Sequence, residues 1–167
     1  VMNDRIYLTG FMGSGKTTVG QALGKALGYQ VIDTDQWIEE DQQKKIKEIF
    51  NEGGEKLFRS LETAALRELT QKKAVITTGG GIILKEENRQ IMKGSGTVIF
   101  LDCAIEEVIR RTSNDDSRPL LKEKSKGDIQ SMYEDRLPLY KEADIHLDTT
   151  GRSILEIVAE LKSAMLK

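Results

Sequence analysis

Short apolar runs alternate with amphipathic stretches along this chain, and the alternation predicts its elements. Ile6-Tyr7-Leu8 is apolar and β-prone, and from residue 16 to 27 the apolar positions Val19, Ala22, Leu23, Ala26 and Leu27 repeat at helical spacing. Gly28 stops that helix, and Gln30-Val31-Ile32 reads as a second strand that runs into Asp33-Thr34-Asp35. Residues 36–72 are rich in charge and read as helices, broken at Gly53-Gly54 and amphipathic from Leu57 through Leu61, Ala64, Ala65 and Leu69. Ala74-Val75-Ile76-Thr77 is the third strand, followed by a helix around 86–92, a strand at 98–101 and a helix near 105–111. A helix over about 129–140, a strand at 145–147 and a helix at 154–166 complete the pattern. Residues 113–127, SNDDSRPLLKEKSKG, are polar and nearly aperiodic, which predicts a mobile surface loop.

Strands that alternate with helices, and that are apolar almost without interruption, predict an α/β fold: a five-stranded parallel sheet with helices on both faces. No linker or repeat divides the chain, so one domain is expected over residues 1–167. Ligands of such sheets sit beyond the carboxyl ends of the strands. Gly10, Asp33, Asp35, the run 79–81 and Asp102 all follow strands directly, so the chemistry should gather along that edge.

Composition narrows the function classes. A chain of 167 residues with 38% hydrophobic content can bury a full core. The net charge of −2 offers no overall basic field for nucleic acid, and no apolar run reaches membrane-spanning length. One cysteine, Cys103, and one histidine, His146, exclude an intrachain disulfide and a Cys/His metal cluster. A reducing cytoplasm and a monomeric state are expected. Cys103 reads as a small buried filler and His146 as a structural strand residue, while Trp37 suits either the core or a pocket wall.

The chemistry starts in GFMGSGKTT, residues 10–18. Gly10, Gly15, Lys16 and Thr17 match G-x-x-x-x-G-K-[ST] between a predicted strand and helix, the setting of a phosphate loop. There backbone N–H groups and the helix N-terminus cradle phosphates, the lysine reaches the β and γ phosphates, and the threonine hydroxyl serves Mg²⁺. The Asn/Thr-Lys-x-Asp tetrapeptide of GTPases does not occur. Ile99-Phe100-Leu101-Asp102 has the form of an acidic strand end of motor ATPases, although Asp102 is better read as the cap of a helix starting near Ala104 than as a metal residue. Asp33 and Asp35, in extended geometry, would place both carboxylates on one side of the chain, and one of them could instead cap a helix from Gln36 onward.

GFMGSGKTTVG at 10–20, DTD at 33–35, FRSLE at 58–62, TGGG at 78–81, RRT at 110–112, RPLL at 118–121 and RLPLY at 136–140 stand in the order and spacing of shikimate kinases. The chain resembles that family over nearly its whole length. The resemblance implies a P-loop kinase fold with a mobile lid at about 113–127. It further implies transfer of the γ-phosphoryl of ATP to the 3-hydroxyl of shikimate, with Mg²⁺, in aromatic amino-acid biosynthesis. Gly13, Ser14, Gly15, Lys16, Thr17 and Thr18 would hold ATP, Arg111 would stack on adenine with Arg110 as the neighbouring choice of register, and Arg152 would border the base. Arg118 would swing onto the phosphates with the lid. Arg59 and Arg136 would clamp the acceptor carboxylate, since a guanidinium fork matches a carboxylate with two parallel hydrogen bonds. Arg136 could also mark a plain helix end beside Pro138. Glu62, on the same helix face as Arg59, would orient it, and Gly80 and Gly81 would meet the acceptor by backbone. Asp35 would contact the acceptor diol and take the hydroxyl proton, and Asp33 would hold water on Mg²⁺, with Thr17 on the metal. The catalytic set is then Asp35, Lys16 and Arg118. A gluconate or nucleoside kinase would keep GSGKT but lack the combination of the other motifs.

Overall fold

The computed structural model describes residues 4–112 and 126–165. Five parallel strands form its sheet in the order β2-β3-β1-β4-β5: β1 Arg5–Thr9, β2 Gln30–Asp33, β3 Ala74–Thr77, β4 Thr97–Asp102 and β5 Ile145–Asp148. The uninterrupted apolar runs have a direct cause, because both sheet faces are covered. Along β1, Tyr7 enters one core while Ile6 and Leu8 enter the other. In β4 the same alternation sends Val98 and Phe100 one way and Ile99 and Leu101 the other.

Helices α1 (Lys16–Leu27) and α7 (Ile154–Met165) cover the Ile6 face through Val19, Leu23, Ile157 and Leu161. The Tyr7 face is covered by α3 (Ile46–Leu69), α4 (Glu86–Ser95), α5 (Ile105–Thr112) and α6 (Lys126–Tyr140), which contribute Leu66, Met92, Val108 and Ile129. A smaller core of Ile38, Ile49, Phe58 and Ala65 joins α2 (Thr34–Gln42) to α3. The break foreseen at Gly53-Gly54 falls at Gly54, whose φ of 68° and ψ of −167° kink α3. Pro138 does not end α6, which runs on to Tyr140. No helix among the described residues is long and apolar enough to cross a membrane.

One local expectation fails. The extended backbone stops at Asp33, because α2 begins at Thr34 and Asp33 is its N-cap, accepting the Gln36 amide at 3.0 Å. That bond satisfies a helix N–H that would otherwise be orphaned, and it turns the chain at once. Asp35 is therefore a first-turn helical residue rather than the alternate position of a strand.

Register brings Asp33 opposite Thr77 across β2 and β3, and Asp102 opposite Asp148 across β4 and β5, so the strand ends form one edge. The spacing of α1 from that edge is set by Gly20, where an added Cβ would overlap the Thr77 methyl. Gly20→Ala gains about 1 kcal/mol of helix propensity, but overpacking against a stiff β-branched neighbour costs about 1–3 kcal/mol. We expect a net loss of about 1 kcal/mol, read as a lower urea midpoint. A midpoint at or above that of the parent would show that helix and strand have slack.

Candidate active site

A cleft of about 630 Å³ runs along the carboxyl edge of the sheet. At one end the phosphate loop turns into α1 at Gly15, whose φ of 93° no side-chain-bearing residue adopts without strain, and no side chain caps the helix there. The loop amides and the positive end of the helix are thus turned to the cleft. Lys16 Nζ donates to the carbonyls of Gly10 and Phe11 at 2.7 and 3.0 Å, which holds the ammonium over the loop. Gly13, Ser14, Thr17 and Thr18 line the same end, and the buried Ser14 hydroxyl has no hydrogen-bond partner among the described residues.

At the other end charge is packed against Gly79-Gly80-Gly81. A side chain at Gly79 would come within 3.0 Å of both Asp35 Oδ1 and Glu62 Oε2, and one at Gly81 would strike the Arg59 guanidinium. Arg136 Nη1 stands 3.6 Å from the Cβ position of Gly80. The run of glycines lets two carboxylates and two guanidinium groups close on one strip of backbone. Arg59 is held by Glu62 Oε1 at 2.7 Å and Glu55 Oε2 at 3.2 Å. Arg59 Nη2, Arg136 Nη1, Asp35 Oδ1 and Glu62 Oε2 are buried without a hydrogen-bond partner among the described residues.

Protonation follows from this packing. Burial, with the charge of Asp33 adding to it, raises Asp35 to about 6 against the pull of Lys16 and Arg59. Burial lifts Glu62 to about 7, although the Arg59 guanidinium opposes it. Burial would weaken the base Arg59, but its two carboxylate partners more than offset that and raise its pKa. Asp33 is tied twice, by the Thr77 hydroxyl to Oδ1 at 2.7 Å and by the Gln36 amide to Oδ2.

A family model for shikimate kinase matches residues 12–166. A shikimate kinase of Bacillus cereus is 50% identical over 157 residues, 94% of this chain and 95% of the relative, and one of Persephonella marina is 48% identical over 93% and 95%. The chain belongs to the shikimate kinase family. It is accordingly an ATP-dependent small-molecule kinase. The solved shikimate kinase of Acinetobacter baumannii, in complex with shikimate, superposes with a TM-score of 0.93 at 38% identity, covering 97% of this chain and 92% of the other. That of Aquifex aeolicus gives 0.85 at 37% identity over 96% and 95%. A gluconokinase of Sinorhizobium meliloti, at 19% identity and a TM-score of 0.61 over 97% and 91%, shares the fold.

Of the residues that the shikimate kinase motifs single out, Lys16, Thr17, Asp33, Asp35, Arg59, Glu62, Gly80, Gly81 and Arg152 line the cleft. Arg136 reaches its floor at Gly80. Arg152 is also paired with Glu160. Arg110 is exposed and paired with Glu107, and the Arg111 side chain, Arg118 and loop residues 113–125 lie outside the described residues. Asp102 caps no helix: its Oδ1 accepts the Cys103 amide and the Tyr133 hydroxyl. Trp37 packs in the core and not on the cleft, Cys103 is buried, and His146 stands edge-on to Phe100.

The sequence pattern did not single out Ile46, Phe50 and Phe58, which form an apolar wall of the cleft, or Tyr140, whose hydroxyl donates to the Gly80 carbonyl. Phe58 and Tyr140 stood inside quoted motifs, and Phe50 carried no signal beyond its apolarity.

The raised Asp35 pKa has a stability consequence of definite sign. The folded state keeps a proton on Asp35 that the unfolded state gives up near its ordinary value of 3.8, so Asp35 makes stability fall as pH rises from about 4 to about 6. Asp35→Asn should therefore raise stability by about 1–2 kcal/mol at pH 7.5, after discounting for partial exposure, and by far less at pH 4.5. Thermal melts at both pH values read this; equal melting points at pH 7.5 would contradict the burial of a costly charge.

Proposed function

We propose that this chain transfers the γ-phosphoryl of ATP to the 3-hydroxyl of shikimate, giving shikimate 3-phosphate and ADP, as one cytoplasmic, monomeric domain. The observation that carries the acceptor assignment is the pair of buried, unpartnered guanidinium nitrogens, Arg59 Nη2 and Arg136 Nη1, beside the unpartnered Asp35 Oδ1. Two fixed cations complement a small carboxylate, and a carboxylate base next to them complements a hydroxyl on the same molecule. The Acinetobacter baumannii relative, solved with shikimate, supports this acceptor.

Lys16 and the α1 amides hold the β and γ phosphates, where negative charge is redistributed as the γ-phosphorus leaves the bridging oxygen of ADP. The acceptor oxygen forms the new P–O bond, and its proton passes to Asp35 and then to solvent. Gly80 and Gly81 bring backbone to the acceptor, and Glu62 fixes the fork of Arg59. Thr17 and Asp33 offer hard oxygen donors suited to Mg²⁺, Thr17 directly and Asp33 through water. Each Asp33 oxygen accepts one hydrogen bond and keeps a lone pair for such a water. Bound there, the ion would neutralise phosphate charge. Among the described residues no cluster of three or more His, Cys, Asp or Glu side chains could hold a metal alone, which suits an ion that keeps waters and phosphate oxygens in its shell. By family resemblance, Arg118 on the lid serves the phosphates, and Arg111 and Arg152 serve the base.

Two measurements test the assignment. Asp35→Asn should lower kcat by about 10²-fold, and the acid limb of the wild-type kcat/KM profile, which rises through pH of about 6 in the free enzyme, should vanish with it. A limb that persists in the variant would take proton removal away from Asp35. Arg59→Ala and Arg136→Ala should each weaken shikimate by about 10-fold or more while leaving ATP affinity within about twofold. Equal losses for both ligands in titration calorimetry would place the arginines on the nucleotide side or in the core.

A further inference from the structure

Phosphoryl transfer leaves Asp102 without a role, although it ends β4, the neighbour of the central strand β1, beside the phosphate loop. It does not line the cleft; its Oδ1 accepts the Tyr133 phenol at 2.7 Å and the Cys103 amide at 2.9 Å. The Tyr133 ring in turn stands edge-on to Phe11, with centroids 5.7 Å apart and planes at 90°. Arg136 follows Tyr133 by three residues, on the same face of α6, and its guanidinium carbon lies 5.8 Å from the centroid of the same Phe11 ring. Phe11 is 1% exposed and belongs to the phosphate loop, where its carbonyl accepts the Ser14 amide at 3.1 Å and the Lys16 ammonium at 3.0 Å. One ring of the loop is therefore gripped by two residues of α6, and one of these is tied to the end of β4.

We propose that Tyr133 is a positioning residue for the transfer reaction: its hydrogen bond to Asp102 seats α6 on Phe11 and so sets both Arg136 and the backbone of the phosphate loop. The inference rests on the acceptor reading above for Arg136. A hydroxyl-to-carboxylate bond is short and strongly directional, whereas the ring contacts are weaker, tolerate a wider range of geometry and alone would let the helix shift. Displacements of about 1 Å are enough to cost a well-placed clamp up to about 10²-fold. Burial and the carboxylate it faces raise the Tyr133 pKa far above that of an ordinary phenol, so the hydroxyl stays a donor at any working pH.

Tyr133→Phe tests this, because it removes one oxygen and keeps the ring. The KM for shikimate should rise about three- to tenfold and the KM for ATP by less, about two- to threefold, with kcat within about twofold. In an Arg136→Lys background, where the fork to be placed is already gone, the same change should add less than about twofold. Asp102→Asn keeps an acceptor oxygen and should behave as wild type, while Asp102→Ala should reproduce Tyr133→Phe without adding to it. Without any ligand, Tyr133→Phe should speed amide exchange at Ser14 by about fivefold or more while leaving the middle of α1 unchanged. An unaltered shikimate KM, an equal effect in the Arg136→Lys background, loss of activity in Asp102→Asn, or unaltered Ser14 exchange would each overturn the proposal. If the wild-type chain turned over no shikimate, the acceptor reading would fall, and the Ser14 exchange would still decide the role of Tyr133.

Discussion

Burial of charge in a small volume is the constraint on which this site depends. Arg59, Glu62 and Arg136 are 7%, 0% and 4% exposed, and Asp35 keeps one oxygen fully out of solvent. Each such ion, isolated, would cost several kcal/mol, and the close Arg59–Glu62 pair offsets only part of that. What is left over is specific: among the described residues, two guanidinium nitrogens lack an acceptor and two carboxylate oxygens lack a donor. A ligand that brings one carboxylate and adjacent hydroxyls supplies both kinds of partner at once. A neutral sugar supplies no anion for the arginines, so in the proposed site discrimination would come from unsatisfied charge more than from shape.

The sheet order makes that concentration possible. With β1 between β3 and β4, the phosphate loop that follows β1 and the glycine run that follows β3 are neighbours at one edge. β2 lies beyond β3, so Asp33 and Asp35 flank the glycine run from the far side. Arg59 and Arg136 then arrive from α3 and α6, two helices on the same sheet face. Donor and acceptor sites therefore share one sheet edge, and their alignment needs no separate domain contact.

Local pattern carried the framework, and the site was legible only in part. Strands buried on both faces write themselves as unbroken apolar runs, as Ile6-Tyr7-Leu8 does, and Gly28 and Gly54 punctuate the helices where their left-handed φ values require it. Of the two readings of Asp33 and Asp35, the helix cap holds and the extended pair does not, because the capping bond from Gln36 outweighs continuation of the strand. Arg136 was visible only through its motif. The polar and apolar positions of α6 do not separate into faces, so nothing in their spacing reveals that this arginine is 4% exposed. The contacts of Tyr133 and Tyr140 lie 31 and 60 residues away in sequence, beyond the reach of any periodicity.

The environment of Asp35 reconciles two demands that conflict for an ordinary carboxylate. With a normal pKa it would be a weak base, while a carboxyl raised much further would be protonated when needed. At about 6 it is a stronger base than a free aspartate by about two decades and still about ten-to-one ionised at pH 7. Lys16 and Arg59 hold it there against burial and the charge of Asp33. Both cations have second partners, Lys16 on the loop carbonyls and Arg59 on Glu62 and Glu55. A carboxylate so poised is ionised before transfer and basic enough to accept the proton that the proposed reaction releases late.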